Sequence, residues 1–215
     1  MELTIWSDFV CPFCFIGQSH LDQALERFEQ ADNVEIEYKT FLLMSDAKYD
    51  PGKSYAETFA ELKGLPIQQA ESMLSQVVNM GKQSGVNIDY DTAKLANTID
   101  AHRVFQFAKK QGKGTEFFKR FYRAHFSEGE LISDHDTIVR LATEAGLAEA
   151  DVRSVLNSKE NIDEMMDDIK EARSIGVQGV PFFVFNNKYA VSGAQPVDAF
   201  VQVLNKVWEE EQAEK

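Results

Sequence analysis

Cysteine is scarce in this chain: Cys11 and Cys14 are the only two in 215 residues. That excludes a disulfide-stapled scaffold, and it excludes a zinc site built from cysteines alone, since a structural site takes four ligands. The four histidines, His20, His102, His125 and His135, show no spacing that would complete such a site, and no metal is expected. No apolar run approaches the roughly 18 residues of a membrane-crossing helix. An excess of positive charge is missing too: 22 Lys and Arg stand against 35 Asp and Glu, a formal net charge of −13. A chain of that sign repels nucleic acid and anionic lipid, so neither is expected as a partner. There is no Gly-x-Gly-x-x-Gly after a strand and no phosphate loop with a lysine, which leaves nucleotide and flavin cofactors without support. Met1-Glu2 leads at once into an apolar strand, without the basic residues, apolar run or cleavage site of a signal peptide, so a cytoplasmic location is expected.

What is present is an ordinary globular composition, 44% hydrophobic and 27% charged, at a length suited to one large domain or a domain with a sizeable insertion. Within it the two cysteines form Cys11-Pro12-Phe13-Cys14, where an apolar strand, Leu3 to Trp6, gives way to a helical pattern from Phe15. A disulfide closing so short a loop constrains an unfolded chain little, so architecture is a poor reason for the pair. Placed at a helix start, the first sulfur meets unpaired backbone N–H groups and the positive end of the helix dipole, which favour a thiolate. Cys11 is therefore read as the nucleophile. Cys14, expected to be less exposed, is read as the thiol that resolves a mixed disulfide. Pro12 suits the first helical turn, where its missing N–H costs nothing, and it also removes one donor from the sulfur's surroundings.

The remaining pattern is strand, helix, strand, a helical stretch, two strands and a helix. Apolar positions at Phe15, Ile16, Leu21, Ala24, Leu25 and Phe28 mark the first helix, and alternation from Val34 to Thr40 marks the second strand, giving a βαβ opening. Residues 50–175 show helical stripes between breakers at Gly64-Leu65-Pro66, Gly85, Gly112, Gly129 and Gly146, which predict about six helices. Strands return at Gly179-Val180-Pro181-Phe182-Phe183-Val184-Phe185 and Lys188 to Val191, joined across Asn186-Asn187, a step that tolerates the positive φ of a hairpin turn. A last helix starts near Val197. The expected division is residues 1–49 with 176–215 as one domain and residues 50–175 as an inserted helical domain. A helix is also expected over residues 93–110, with Asp8 capping the cysteine helix.

This order resembles the thioredoxin fold with a large all-helical insertion, an α/β architecture, and in particular the DsbA family and its FrnE-like cytoplasmic branch. The resemblance spans essentially the whole chain. It rests on Asp8-Phe9-Val10-Cys11-Pro12-Phe13-Cys14-Phe15-Ile16-Gly17, Asn97-Thr98 with Ala101-His102-Arg103, Gly179-Val180-Pro181, and Ser192-Gly193-Ala194-Gln195. It implies a thiol-disulfide oxidoreductase or isomerase with a cis Pro181 opposite the cysteines, the Val180 backbone offered to an extended substrate, and Pro12, Phe13 and Gln195 at the substrate edge. His102 and Arg103 lie on the helix expected over residues 93–110, where a histidine is more often a hydrogen-bonded core or rim residue; in the functional reading one of these two cations lies over the redox centre and stabilises the thiolate. Relatives often carry Trp and Tyr where Phe13 and Phe15 stand, and DsbA has a His between its cysteines. Phe13 gives the thiolate neither charge nor hydrogen bond, so the potential is expected nearer the thioredoxin end, about −270 mV, than the DsbA end, about −120 mV.

The substrates implied are disulfide- or thiol-containing proteins or peptides, with glutathione a further candidate, and the chain is expected as monomer or homodimer. Two other readings share these features. A kappa-type glutathione transferase or isomerase would use a serine-like hydroxyl at the first cysteine position and needs no resolving thiol, whereas Cys14 is present here. A binding module would use the cysteines only to sense oxidation.

Overall fold

The computed structural model describes residues 1–213. Strand β1 (Glu2–Ser7) is the centre of a four-stranded sheet of order β2-β1-β3-β4. Leu3, Ile5 and Trp6 are each at most 2% exposed although they lie on opposite faces, as expected of a strand covered on both sides. β2 (Glu35–Thr40) runs parallel to β1, with Ile5 opposite Tyr38, and helix α1 (Pro12–Arg27) makes the crossover. β3 (Phe182–Phe185) pairs antiparallel with the other edge of β1, and β4 (Tyr189–Ser192) pairs antiparallel with β3. The turn between them is Asn186 and Asn187 at φ 49° and 52°, the left-handed values for which asparagine is suited.

Leu3, Ile5, Phe183 and Phe185 look toward α1 and the final helix α9 (Val197–Ala213), where Phe183 meets Phe200 edge-on at 4.8 Å. The other face carries Trp6, Phe182 and Val184, packed on Ala172 and Val177.

Seven helices lie between β2 and β3: α2 (Tyr55–Lys63), α3 (Ile67–Gln83), α4 (Ile99–Lys110), α5 (Gly114–Ser127), α6 (His135–Glu144), α7 (Glu149–Leu156) and α8 (Ile162–Ser174). The sequence predicts about six because the break between α7 and α8 contains no glycine. Asn161 makes it instead, at φ 64°, as the residue before α8. The helix expected from residue 93 begins at Ile99. Asn97 N–H donates to the Ala47 carbonyl, 3.1 Å, so the chain before α4 is tied to the loop that follows β2.

One continuous buried core runs from the strands through Phe9 into Phe105, Phe117, Phe118 and Phe121 of α4 and α5 and on to Leu141 and Val152 of α6 and α7. Among the described residues no helix is long and apolar enough to cross a membrane, and no group of three or more His, Cys, Asp or Glu is placed to hold a metal ion.

Candidate active site

Strand β1 ends at Ser7, and the chain turns through Asp8, Phe9 and Val10 before α1 begins. Cys11 is the N-cap of α1, in extended conformation, with Pro12 at the first helical position, where a proline's fixed φ suits the helix. The N–H groups of Cys14 and Phe15 donate to the Cys11 carbonyl at 3.1 and 3.3 Å, closing the first turn and bringing the two sulfurs together. Both cysteines are thiols here. Burial pushes the Cys14 thiol well up from its ordinary value, and the neighbouring Cys11 sulfur adds to this; the Ser7 hydroxyl and the Asp8 backbone pull the other way.

The expected contrast in exposure between the cysteines is not found: Cys11 is 3% exposed and Cys14 2%. Cys11 is covered because its Sγ turns inward and donates to the Val180 carbonyl at 3.5 Å. The group that meets solvent is Phe13, an apolar ring 40% exposed beside the sulfur. Val180–Pro181 is a cis peptide, and Pro181 is buried against α1.

Gly17 permits that contact. A Cβ at this position would stand 3.1 Å from Pro181 Cγ and 3.3 Å from Phe183 Cζ, closer than ordinary van der Waals separation. Replacing Gly17 by Val forces β3 and its proline away from the cysteines. A stability loss of about 1–3 kcal/mol is expected, read from the urea midpoint, together with slower disulfide exchange.

Asp8 does not cap α1, whose first turn has no side-chain cap. Its carboxylate is fully buried and turned the other way, accepting from Leu43 N–H at 2.8 Å, Thr98 Oγ1 at 2.8 Å and His102 Nε2 at 3.2 Å. A buried carboxylate needs such donors, and here they come from the loop after β2 and from the start of α4, so Asp8 ties both to the cysteine turn. His102 therefore reaches the site through Asp8; its ring lies on Phe9 at 4.4 Å, and its Nδ1 has no partner. Arg103, on the same helix, points elsewhere. Its guanidinium donates to Asp100 and to the carbonyls of Val155, Ser158 and Glu160, which makes it a fastener of the α7–α8 connection rather than a cation above the sulfur.

Gln195 is also engaged locally. Its side chain donates to the Ser192 carbonyl at 2.9 Å and its own carbonyl accepts from His20 Nδ1 at 2.7 Å, so it shapes the turn after β4 beside Pro181. Tyr55 and Tyr90 pack together, ring centroids 4.6 Å apart, with both phenols pushed up chiefly by burial, to which Cys11 adds at Tyr55 and Tyr55, then Cys11, at Tyr90. His125 lies behind Tyr55, pushed down to about 4 by burial, with Asp8 partly opposing.

Sequence reasoning missed Ser7, Tyr122 and Tyr38, three hydroxyls around Cys14. Ser7 hydrogen-bonds to Tyr122 and opposes the rise of the Cys14 thiol, while Tyr38, with no hydroxyl partner, is pushed up by burial first and then by Asp22 and Cys14. No spacing rule links these positions. Tyr122 is visible in the sequence only as one aromatic of a core stripe.

The chain matches the DSBA-like thioredoxin domain over residues 2–205. Its fold is close to that of the probable DsbA oxidoreductase SCO1869 of Streptomyces coelicolor, with a TM-score of 0.89 and 31% identity over 98% of this chain and 91% of that one. The Bacillus subtilis protein YwbO is 27% identical over 95% of this chain and 96% of its own length. The cytosolic disulfide reductase DsbM of Pseudomonas aeruginosa, solved with GSH, shares the fold at a TM-score of 0.68 and 17% identity, over 97% of this chain and 100% of that one. With a four-stranded mixed sheet, nine α-helices among the described residues, and cysteines at the end of β1, this chain belongs to the family of DSBA-like thioredoxin domains.

Proposed function

We propose that the protein is a cytoplasmic dithiol-disulfide oxidoreductase of FrnE-like type, with Cys11 as nucleophile and Cys14 as resolving thiol. The observation that carries this reading is the Cys11 thiol at the N-cap of α1, in one helical turn with Cys14 and donating to the Val180 carbonyl beside the cis Pro181. Attack by the Cys11 thiolate on a substrate disulfide, R–S–S–R′, forms Cys11–S–S–R and releases R′–S⁻. Cys14 then displaces R–S⁻ from Cys11 and leaves the enzyme disulfide, two electrons having passed to the substrate. An extended substrate segment takes the Val180 carbonyl that Cys11 holds at rest, and the exposed Phe13 ring offers an apolar contact beside the reacting sulfur. Phe13, unlike a histidine, gives the thiolate no positive neighbour, so the pair equilibrates on the reducing side, about −270 mV. Glutathione is a thiol of fitting class, and a disulfide reductase of the same fold is described with GSH.

Cys14 separates this reading from a glutathione transferase that works with a single hydroxyl or thiol. In a Cys14→Ser variant, mixed disulfides between Cys11 and a peptide disulfide are expected to accumulate to near stoichiometry, seen as the added mass in intact-protein mass spectrometry. Undiminished turnover without a trapped adduct would overturn the assignment of Cys14.

A further inference from the structure

The turn that follows β4 braces the substrate edge. Gly193 N–H donates to the Pro181 carbonyl at 2.8 Å and Gln195 N–H to the Gly193 carbonyl at 2.9 Å, so the position of residues 193–195 is passed directly to the cis proline. The turn has little else to hold it, since Ser192 and Gln195 are both exposed. Among the described residues the hydrogen bond that ties it to α1 comes from His20, whose Nδ1 lies 2.7 Å from the Gln195 carbonyl oxygen. Gly17, one turn earlier on the same side of α1, lets the two segments approach: a Cβ there would stand 3.1 Å from Pro181 Cγ and 3.6 Å from Ala194 Cα.

Hydrogen-bond accounting fixes how His20 is held. A carbonyl oxygen only accepts, so Nδ1 bears the hydrogen. Nε2 faces Ser84 Oγ at 2.8 Å, and Ser84 is the buried residue that ends α3. The other acceptor in reach of the Ser84 hydroxyl is the Met80 carbonyl at 2.9 Å, which already takes Ser84 N–H at 3.0 Å. The hydroxyl hydrogen is therefore free to turn to Nε2, and a neutral ring with its hydrogen on Nδ1 satisfies both contacts. Ser84 is itself fastened to α1, because its carbonyl accepts from Ser19 Oγ at 2.6 Å and from Gln23 Nε2 at 3.3 Å, residues on either side of His20 in the sequence. We infer that His20 is a positioning residue for peptide substrates: held by Ser84 of the helical insertion, it clamps the Gln195 carbonyl and so sets where the turn places the Val180–Pro181 edge. The inference rests on the dithiol reading above and deepens it by assigning that edge to substrates with an extended backbone. Such a segment bonds main chain to main chain at the Val180 carbonyl and needs the edge held in register beside Cys11. A small disulfide without a peptide backbone needs only the sulfur.

The test uses the reduced full chain and two disulfides that expel the same coloured nitrobenzoate thiolate. One is the symmetrical aryl disulfide, Ar–S–S–Ar; in the other, Ar–S–S–R, the second sulfur belongs to a cysteine in the middle of an extended neutral peptide. Capture is Cys11–S⁻ + Ar–S–S–R → Cys11–S–S–R + Ar–S⁻, the electron pair of the broken bond leaving with the aryl sulfur, so the first phase of colour times the same step for both. His20→Ala is expected to raise the peptide concentration for half-maximal capture about five- to tenfold, with the limiting rate and the aryl disulfide rate within about twofold of the unmodified protein. Two isosteres separate the ring nitrogens. His20→Asn puts an N–H where Nδ1 stands and is expected to restore peptide binding to within about twofold, whereas His20→Gln puts its amide at Nε2, reaches Ser84 alone and is expected to behave as His20→Ala. Equal slowing of both disulfides in His20→Ala, unchanged peptide binding in it, a His20→Asn variant that binds as weakly, or a His20→Gln variant that binds as well as the unmodified protein each overturns the inference. An unmodified protein that expels no thiolate from either disulfide overturns the dithiol reading itself.

Discussion

Cys11→Ser is expected to reduce the dithiothreitol-driven reduction of insulin to the uncatalysed rate, a loss of about a thousandfold or more. Nothing else in the chain can take over. A serine hydroxyl in the same place does not ionise near neutral pH and forms no bond with sulfur that reduces a disulfide. Burial pushes the Cys14 thiol well up, so it is largely protonated when Cys11 is gone. Turbidity of the precipitating insulin chains gives the rate directly. Activity within tenfold of the unmodified protein would show that another group attacks the substrate.

Phe9→Ala is expected to cost about 3–5 kcal/mol, the range for emptying a buried aromatic site. Phe9 is fully buried and its ring centroid lies between 4.4 and 6.5 Å from those of His102, Phe105, Phe117, Phe118, Phe121 and Tyr122. Each belongs to α4 or α5, whereas Phe9 belongs to the turn that carries Cys11. The cavity therefore opens at the join between cysteine loop and helical insertion, and surrounding rings cannot close it without moving that loop. Chemical denaturation read by tryptophan emission measures the loss. A change below about 1 kcal/mol would mean that α5 collapses onto the turn and that the two are less rigidly joined than the ring contacts indicate.

Much of this arrangement is legible in the sequence because local chemistry dictates it. The period-two alternation of β2, the apolar stripe of α9, the Asn186-Asn187 turn and the Asp134 cap of α6, which accepts from Thr137 N–H at 2.9 Å, are each decided by a few neighbouring residues. Cys-x-x-Cys after a strand is equally local. The errors arise where contacts are remote in sequence. Asp8 looks like a cap until Leu43 and Thr98, 35 and 90 residues away, are brought to its carboxylate. Arg103 looks like a free cation until the carbonyls of the α7–α8 connection take up its donors, the farthest 57 residues on. His20 has no distinguishing pattern at all, yet both its ring nitrogens are bonded, to the Gln195 carbonyl and to Ser84 Oγ, so it links α1 to the rim of the site. Cys11's low exposure belongs to the same class, since it depends on a carbonyl 169 residues away.

The aromatic join at Phe9 also bears on how freely such proteins exchange parts. A helical module whose interior merges with that of the strands is not a detachable attachment. Grafting another set of helices between β2 and β3 would have to reproduce the bed of rings under Phe9 and the Thr98 and His102 donors to Asp8. Variation in this part of the chain is thereby steered toward the outer faces of α2 and α3, where Leu62, Met73 and Met80 stand in solvent and nothing at the cysteines depends on them.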